Sequence, residues 1–297
     1  MDYQYFIIDV FTRQKFEGAQ IAVFPGAGTL TEHQMQLLSR ELNLSETVFV
    51  TAATDGISIK QLRIFTPQAE LDFAGHPVIA AGYVLQAASS KSLVNESIQL
   101  KRKSILLNVT AGSGETRVAF TLKTSGKLDD FVPSARELGE ILHLDESQIE
   151  QTVSRSMLVN CNGEYLVVPV KTVGAFNDAR FNINKWTTSF VATLASKIVL
   201  CCRARPDERI MTYRVRLLGK GIDVNDDPPV GSAAAAMGMY LFSDKEDGIY
   251  NAVLQRGGDG RRLSLIELTL NKTAGVVESI QIGGHAVKTG SGVIHLD

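Results

Sequence analysis

Two apolar segments rich in small residues match each other without a gap. Residues 75–85 (GHPVIAAGYVL) align with residues 231–241 (GSAAAAMGMYL), and both glycines, one alanine and the final leucine coincide. Neither segment has a polar face, and a helix that is apolar all round is a buried helix. Because the offset is close to half of the 297 residues, the match indicates a duplicated unit. We expect two halves, each with a sheet around a central helix; chance similarity of two Ala/Gly-rich helices is the alternative.

A second match and a series of strand-like runs support this plan. Residues 5–12 (YFIIDVFT) resemble residues 165–172 (YLVVPVKT). Short β-branched and aromatic runs between turn residues predict strands, and they are residues 3–10, 22–24, 47–51, 57–65 and 105–109 in the first half and residues 117–121, 164–170, 199–203, 213–218 and 263–270 in the second. The capping-box patterns TEHQ from Thr31 and SARE from Ser134 each predict the start of a conventional amphipathic helix.

The starts of the two apolar helices are the most informative positions for function. Pro77 suits the first position of a helix, and we expect Ser232 to be the N-cap of the second helix. Each start has backbone N–H groups without helical partners at the positive end of a dipole, which attracts anions. If the two halves face each other, both starts point into one cleft that suits a carboxylate. Within the helices, Gly82 and Gly238 cost about 1 kcal/mol each relative to Ala, so we expect that close packing requires them.

Composition excludes several classes of protein. The chain has 30 Lys and Arg against 32 Asp and Glu, so it lacks the basic field of a nucleic-acid binder. Its most apolar run, residues 232–242, is too short to span a membrane, and no signal peptide is recognisable. Three cysteines and five scattered histidines have no metal-binding spacing, and no glycine-rich phosphate loop follows a strand. We expect a soluble cytoplasmic protein without a cofactor.

Five segments together resemble the PhzF (phenazine biosynthesis-like) family. In chain order they are DVFT at residues 9–12, LSETVF at 44–49, RIFTP at 63–67, ELDFAGHP at 70–77 and DDPPVGSA at 226–233. The resemblance implies a diaminopimelate-epimerase-like α/β (α+β) fold with two pseudo-twofold-related domains, each a curled, mostly antiparallel sheet around a buried helix. It also implies a homodimer and a last strand that returns to the first domain, so we expect domains at residues 1–115 plus 286–297 and at residues 116–285.

The resemblance also implies a reaction. The named family member shifts a hydrogen on a dihydro-hydroxyanthranilic acid without metal or coenzyme, so we expect an isomerase that acts on a small carboxylic acid. Glu46 matches the family's general acid/base, a role that needs a pKa of about 6–7 rather than about 4.3. Burial beside Val48 and Phe49 would raise that pKa. The ordinary interpretation of Glu46 is a solvated residue at a turn.

The other expected site residues come from the same motifs. His76 matches the active-site histidine, which donates a hydrogen bond to the substrate or relays a proton; its ordinary role would be to cap a buried helix. Asp227 matches an acid that orients the substrate or holds His76, although an Asp before two prolines is also a common turn residue. The groups expected to bind the substrate are Asp72, Gly75, Gly231 and Ser232.

Some positions depart from the family pattern, chiefly among the substrate-holding residues. Gly18 is followed by Ala19 where the family has Asn, and Val230 replaces a Thr. A changed substrate would produce such differences, and so would the alternative function, a catalytically inactive small-molecule-binding homologue. A two-thiol racemase is disfavoured because neither helix start carries a cysteine, and hydrolysis because no Ser lies in a Gly-x-Ser-x-Gly elbow.

Overall fold

Two units make up the chain, in a computed structural model that describes residues 1–112, 114–124, 126–161, 163–204, 210–220, 222, 231, 233–258 and 260–296. The first unit comprises Met1–Leu122, Gly260–Ile266 and Gln281–Asp297. The second comprises Lys123–Asp259 and Glu267–Ile280. The chain thus returns to the first unit twice after entering the second, at Gly260–Ile266 and again at its C-terminal end.

The first unit is built mainly from the N-terminal part of the chain. Its helices are α1 (Glu32–Leu42) and α2 (Gly75–Ala87). Its strands from this part are β1 (Asp2–Val10), β2 (Ala19–Phe24), β3 (Glu46–Thr51), β4 (Lys60–Phe65), β5 (Glu70–Leu71), β6 (Glu96–Gln99), β7 (Ser104–Gly112) and β8 (Glu115–Lys123).

The second unit follows in the chain. Its strands are β9 (Lys127–Asp129), β10 (Met157–Asn160), β11 (Glu164–Pro169), β12 (Lys197–Arg203), β13 (Met211–Gly219) and β14 (Gly248–Gly258). Its helices are α3 (Ala135–Leu142), α4 (Val173–Asp178), α5 (Ile183–Thr188) and α6 (Ala234–Phe242). Two long strands, β15 (Arg261–Thr273) and β16 (Val276–His295), contribute residues to both units. Among the described helices, none is long and apolar enough to cross a membrane.

The sheet of the first unit closes on itself around α2. Its strand order is β1-β2-β3-β4-β6-β7-β8-β16, and β1 also pairs with β16. The pairs β2–β3 and β4–β6 are parallel, whereas β1–β2, β3–β4, β6–β7 and β7–β8 are antiparallel. Helix α2 is buried from Gly75 to Gly82, because none of its side chains is charged. Since β8 pairs within this sheet, the first unit extends past the predicted boundary at residue 115, and the strand predicted for the second half at residues 117–121 lies here.

The second unit repeats this plan. Its strand order is β9-β10-β11-β12-β13-β14, continued by residues of β15 and β16. The pairs β11–β12 and β13–β14 are parallel, as β2–β3 and β4–β6 are in the first unit. Helix α6 is buried from Ala234 to Tyr240 and packs against β10, β11 and β14. The predicted mostly antiparallel sheets around buried central helices are therefore confirmed, and so is the correspondence of the two helices.

The second sequence match does not reflect the duplication. Residues 5–12 lie in β1 and the turn after it, and β1 pairs antiparallel with β2 and β16. Residues 165–172 lie mostly in β11, which runs parallel to β12. This pairing makes β11 the counterpart of β2, so the match was wrong. Buried strands share β-branched and apolar residues whatever their place in a sheet, and such runs resemble one another by composition.

Local hydrogen bonds decide where several elements begin. Strand β4 begins at Lys60 rather than at residue 57, because Asp55 Oδ1 accepts hydrogen bonds of 3.0 and 2.8 Å from the backbone N–H groups of Ile57 and Ser58. These bonds hold a turn in which the backbone cannot join the sheet. Both predicted capping boxes are present, at the starts of α1 and α3.

The two glycines inside the central helices have different surroundings. A methyl group built on Gly82 would lie 2.6 Å from Val118 Cγ1 and 3.1 Å from Leu107 Cδ1. A methyl group built on Gly238 would lie 3.4 Å from Ile280 Cδ1, which is an ordinary contact. Close packing therefore requires the glycine at position 82, as predicted, but the same prediction was wrong for Gly238.

Candidate active site

Strand register brings the start of β3 close to the loop between β1 and β2. Val10, the last residue of β1, pairs with Ala19, the first residue of β2. Two residues further on, Ile21 pairs with Glu46, which begins β3. The loop of residues 11–18 and Glu46 therefore lie at the same end of the first unit's sheet. We call this the Glu46 end and include in it the first turn of α2, which contacts the same loop.

Glu46 lies where β3 passes from the surface into the core. The residue is half-buried, and its Oε2 accepts a 2.7 Å hydrogen bond from the hydroxyl of exposed Ser45. The four residues after it, from Thr47 to Val50, are buried. A carboxyl group at such a boundary has apolar neighbours on one side and access for a small molecule on the other.

His76 is a buried residue of the first turn of α2, with 2% of its surface exposed. Its ring meets the ring of Phe11 edge to face, with the centroids 5.1 Å apart. Phe11 is fully buried and adopts a left-handed backbone conformation with φ of 62°. A methyl group on Gly284 would lie 2.6 Å from Phe11 Cδ1, so this glycine leaves space for the ring. Phe11 thus forms a fixed wall for the His76 imidazole.

Helix α2 begins at Gly75, with Ala74 as its N-cap, so Pro77 is its third residue rather than its first. A proline fits there because the N–H groups of the first turn have no helical partners to lose. The Ala74 side chain has no acceptor atom, so it does not cap the helix. Gly75 is itself buried. No side chain in the described part of the chain therefore caps the start of α2, where the positive end of the helix dipole lies.

Glu70 anchors the segment that leads into α2. Its side chain is 8% exposed, and it forms ion pairs with Arg63 Nε at 2.8 Å and Lys101 Nζ at 3.0 Å. Burial raises the pKa of Glu70, but the hydrogen bonds from Arg63 and Lys101 together outweigh burial and hold the pKa below its usual value. Arg63 therefore has a structural role here.

Asp72 is an exposed residue of the same segment. Its Oδ2 lies 3.0 Å from Arg102 Nε in an ion pair whose two side chains are both largely exposed. Exposed pairs of this kind contribute little to stability, so Asp72 is free to exchange Arg102 for another partner at small cost. Its predicted contact with the substrate stays a prediction.

The second unit carries the remaining predicted site residues. Gly231 is buried and lies shortly before α6, whose N-cap is Ala233. Asp227 and Ser232 lie outside the described residues, as does Val230.

Asp9 is a buried acidic residue to which the sequence assigned no function. Its Oδ1 accepts a 2.6 Å hydrogen bond from Arg262 Nη2, and its Oδ2 accepts a 2.7 Å bond from the backbone N–H of Phe16. Burial raises the pKa of Asp9 above its usual value, against the opposing effect of these bonds. The sequence signal for a buried, paired Asp9 was an acidic residue inside an apolar strand, because carboxylates are rarely buried without partners. Its partner Arg262 is 253 positions away, so no local pattern reveals the pair.

The cysteines are buried in the second unit. Burial raises the pKa of Cys202 to about 11 and that of Cys201 still further. Such thiols stay protonated, which disfavours two-thiol racemase chemistry here. Within the part of the chain that the structure describes, no group of three or more His, Cys, Asp or Glu side chains is arranged to hold a metal ion.

Comparisons with known proteins show which family the sequence resembles. The phenazine biosynthesis-like protein family matches residues 8–292. An uncharacterized isomerase of Mesorhizobium japonicum is 29% identical over 98% of each chain. The trans-2,3-dihydro-3-hydroxyanthranilate isomerase of Pseudomonas chlororaphis is 27% identical over 99% of this chain and 100% of its own.

Solved structures confirm the predicted fold class. The crystal structure of a PhzF-family phenazine biosynthesis protein from Bacillus anthracis superposes with a TM-score of 0.85 over 100% of both chains, at 20% identity. Sequence and fold thus agree over essentially the whole chain. The protein therefore belongs to the PhzF, or phenazine biosynthesis-like, family.

Proposed function

We propose that this protein is an isomerase that shifts a proton on a small, unsaturated carboxylic acid, with Glu46 as the general acid/base. The strand register is the observation that carries the proposal, since it places Glu46 and the loop touching His76 at one end of the first unit's sheet. The relatives named as isomerases support the reaction class.

The reaction requires one base that later serves as an acid. The Glu46 carboxylate removes a proton from carbon, and the electron pair left behind spreads into the adjacent double bond. The resulting carboxylic acid then returns the proton to a different carbon, so no atom or electron is gained or lost overall. This cycle needs the pKa of Glu46 to be about 6–7, and partial burial beside Val48 and Phe49 favours such a shift.

The start of α2 is proposed to bind the substrate carboxylate. Backbone N–H groups at Gly75 and His76 and the helix dipole stabilise negative charge, including charge that develops during proton transfer. His76 is proposed to donate a hydrogen bond or relay a proton, in an orientation set by Phe11. Asp72 is proposed to contribute a contact, while the roles predicted for Asp227, Gly231 and Ser232 rest on the family resemblance.

Deuterium exchange tests the proposal directly. The protein is incubated in D₂O with trans-2,3-dihydro-3-hydroxyanthranilate and with other unsaturated cyclic and acyclic carboxylic acids, and incorporation is followed by mass spectrometry. We expect Glu46→Gln to lose at least about 100-fold in exchange rate, because an amide cannot take up the proton. Binding of 3-hydroxyanthranilate, an aromatic acid with no proton to shift, is measured by calorimetry as a separate readout.

Glu96→Gln is the matched control for Glu46→Gln. Glu96 is also a half-buried first residue of a strand, β6. Because Lys60 at the start of β4 pairs with Ile98 in parallel, Glu96 lies at the opposite end of the same sheet from Glu46. Exchange that is equally impaired in both variants, or unaffected in Glu46→Gln, would refute the assignment. Binding without exchange of any acid by the wild-type protein would favour the alternative of an inactive binding protein, to which Ala19 in place of Asn points.

Two further parts of the proposal have simple tests. We propose that the protein works without metal or coenzyme, so exchange should persist after extensive dialysis against a chelator. We also propose that it is a cytoplasmic homodimer, and sedimentation equilibrium should then give twice the monomer mass of 32.3 kDa.

A further inference from the structure

The loop between β1 and β2 contains two phenylalanines in an unfavourable backbone conformation. Phe11 has φ of 62° and Phe16 has φ of 69°, in the left-handed region that bulky residues rarely adopt. The conformation of Phe11 is explained by packing, because its ring is buried against His76. The Phe16 ring has no such explanation, since 71% of the residue is exposed. A strained backbone at an exposed aromatic residue indicates that the residue has a role other than stabilising the fold.

An ion pair between buried Asp9 and half-buried Arg262 holds Phe16 in this conformation. The backbone N–H of Phe16 donates to Oδ2 of Asp9, which has no exposed surface. Arg262 binds the other carboxylate oxygen of Asp9, and it also donates to the carbonyl oxygens of Glu17 at 2.8 Å and Gly18 at 2.9 Å. The backbone is therefore fixed at Phe16 and at the two residues that follow it. Burying the charge of Asp9 costs desolvation free energy. The structure bears this cost although the side chain of Phe16, which the pair positions, faces solvent.

This loop belongs to the Glu46 end. Its first residue, Phe11, contacts His76, and its last residue, Gly18, precedes Ala19 at the start of β2. The loop therefore carries its exposed ring at the same end of the sheet as the proposed acid/base Glu46. An exposed aromatic ring on a rigid loop has apolar surface to bury when a ligand arrives, and it loses little conformational freedom in doing so.

We propose that Phe16 is a specificity-determining residue that offers the face of its ring to a flat, ring-bearing acid, with Asp9 and Arg262 as positioning residues. The inference rests on the proposed function, because it assigns a substrate-contacting residue to that site. Aromatic faces pack well against planar rings and gain little from short open-chain acids. The site then prefers cyclic over acyclic unsaturated acids.

Phe16→Gly separates the binding role from any structural role. Glycine adopts the left-handed conformation without strain, so the melting temperature should stay equal or rise. Affinity for 3-hydroxyanthranilate, measured by calorimetry, should fall about tenfold because part of the ring is no longer covered on binding. Affinity for fumarate, an acyclic unsaturated acid, should stay unchanged. Asp9→Asn should shift the same ratio of affinities, whereas simple loss of structure would weaken both acids alike.

Ala274→Gly is the matched control for Phe16→Gly. Ala274 also has a positive φ, of 51°, and lies exposed in the turn between β15 and β16 in the second unit's part of the chain. Its replacement should relieve strain in the same way and leave both affinities unchanged. Equal affinities of wild type and Phe16→Gly for the aromatic acid would overturn the inference, and so would a wild-type protein that binds fumarate as tightly as 3-hydroxyanthranilate.

The outcomes for Phe16 and for the proposed reaction are distinguishable. A protein that binds 3-hydroxyanthranilate through Phe16 but exchanges no deuterium would support the inference and refute the isomerase. If deuterium exchange depends on Glu46 but the ratio of the affinities for 3-hydroxyanthranilate and fumarate does not change in Phe16→Gly, the isomerase is supported and the inference is overturned.

Discussion

Replacing one glycine in each central helix by alanine should change stability in opposite directions. Gly82→Ala places a methyl group 2.6 Å from Val118 Cγ1, which is far inside normal contact distance. Gly238→Ala places the same group 3.4 Å from Ile280 Cδ1. The two helices are similar in sequence and both are buried, so each variant is the matched control of the other.

The expected magnitudes follow from these distances. Alanine is favoured over glycine inside a helix by about 0.8–1.0 kcal/mol, and this gain applies to both positions. At Gly238 the buried methyl group adds about 0.8 kcal/mol, so the free energy of unfolding should rise by about 1–2 kcal/mol. At Gly82 overpacking costs about 1–3 kcal/mol, because fully buried Val118 has a short, branched side chain that cannot swing away. Gly82→Ala should therefore lose up to about 2 kcal/mol, which separates the variants by about 2–4 kcal/mol.

Urea unfolding monitored by circular dichroism measures both free energies. Because the helices belong to different units, the two transitions should be fitted separately if they resolve. In thermal scans each 1 kcal/mol corresponds to about 2–4 °C for a unit of this size. If Gly82→Ala raised the free energy of unfolding as much as Gly238→Ala does, α2 would pack less closely against β7 and β8 than the structure shows.

Three other predictions concern an ion pair, a helix cap and the wall behind the proposed active site. In urea unfolding, Glu70→Gln should be less stable than wild type at pH 7, and the difference in free energy of unfolding should shrink at pH 3. The folded-state pKa of Glu70 is lowered, so its stabilisation is present above the unfolded-state pKa and is lost as pH falls through the folded-state pKa. Thr31→Ala should cost about 1 kcal/mol in the same assay, because the α1 capping box is removed, and an unchanged midpoint would contradict the cap. Gly284→Ala should slow deuterium exchange about tenfold by displacing Phe11. Gly290→Ala is the control and should not slow exchange, because its methyl group would lie 3.6 Å from the nearest neighbour. Equal exchange rates in these two variants would refute the role of Phe11 as a wall.

Local features were predicted well because their causes lie close together in the chain. The capping boxes at α1 and α3 need only four consecutive residues, and both are present. The burial of α2 and α6 follows from helices without a polar face. Strand limits were less accurate where a side chain competes for the backbone, as Asp55 does before β4.

Errors arose where composition was taken for topology. The match between residues 5–12 and 165–172 compared two buried strands that hold different places in their sheets. Residues 117–121 were assigned to the second half because they follow the predicted boundary at residue 115, yet β8 pairs with β7 in the first unit. Pairing partners depend on register between distant segments, which period and composition do not encode.

The sequence by itself determined the duplicated helices, their burial and the family motifs that contain Glu46 and His76. Each of these depends on residue types at short spacing, and the chemistry of a side chain is known once its identity is known. Only the tertiary structure decided that Gly82 is needed where Gly238 is not, and that Asp9 meets Arg262 across 253 positions to fix Phe16. Those outcomes depend on contact distances of 2.6 against 3.4 Å and on chain segments that meet only in the folded protein, because packing is decided by shape rather than by composition.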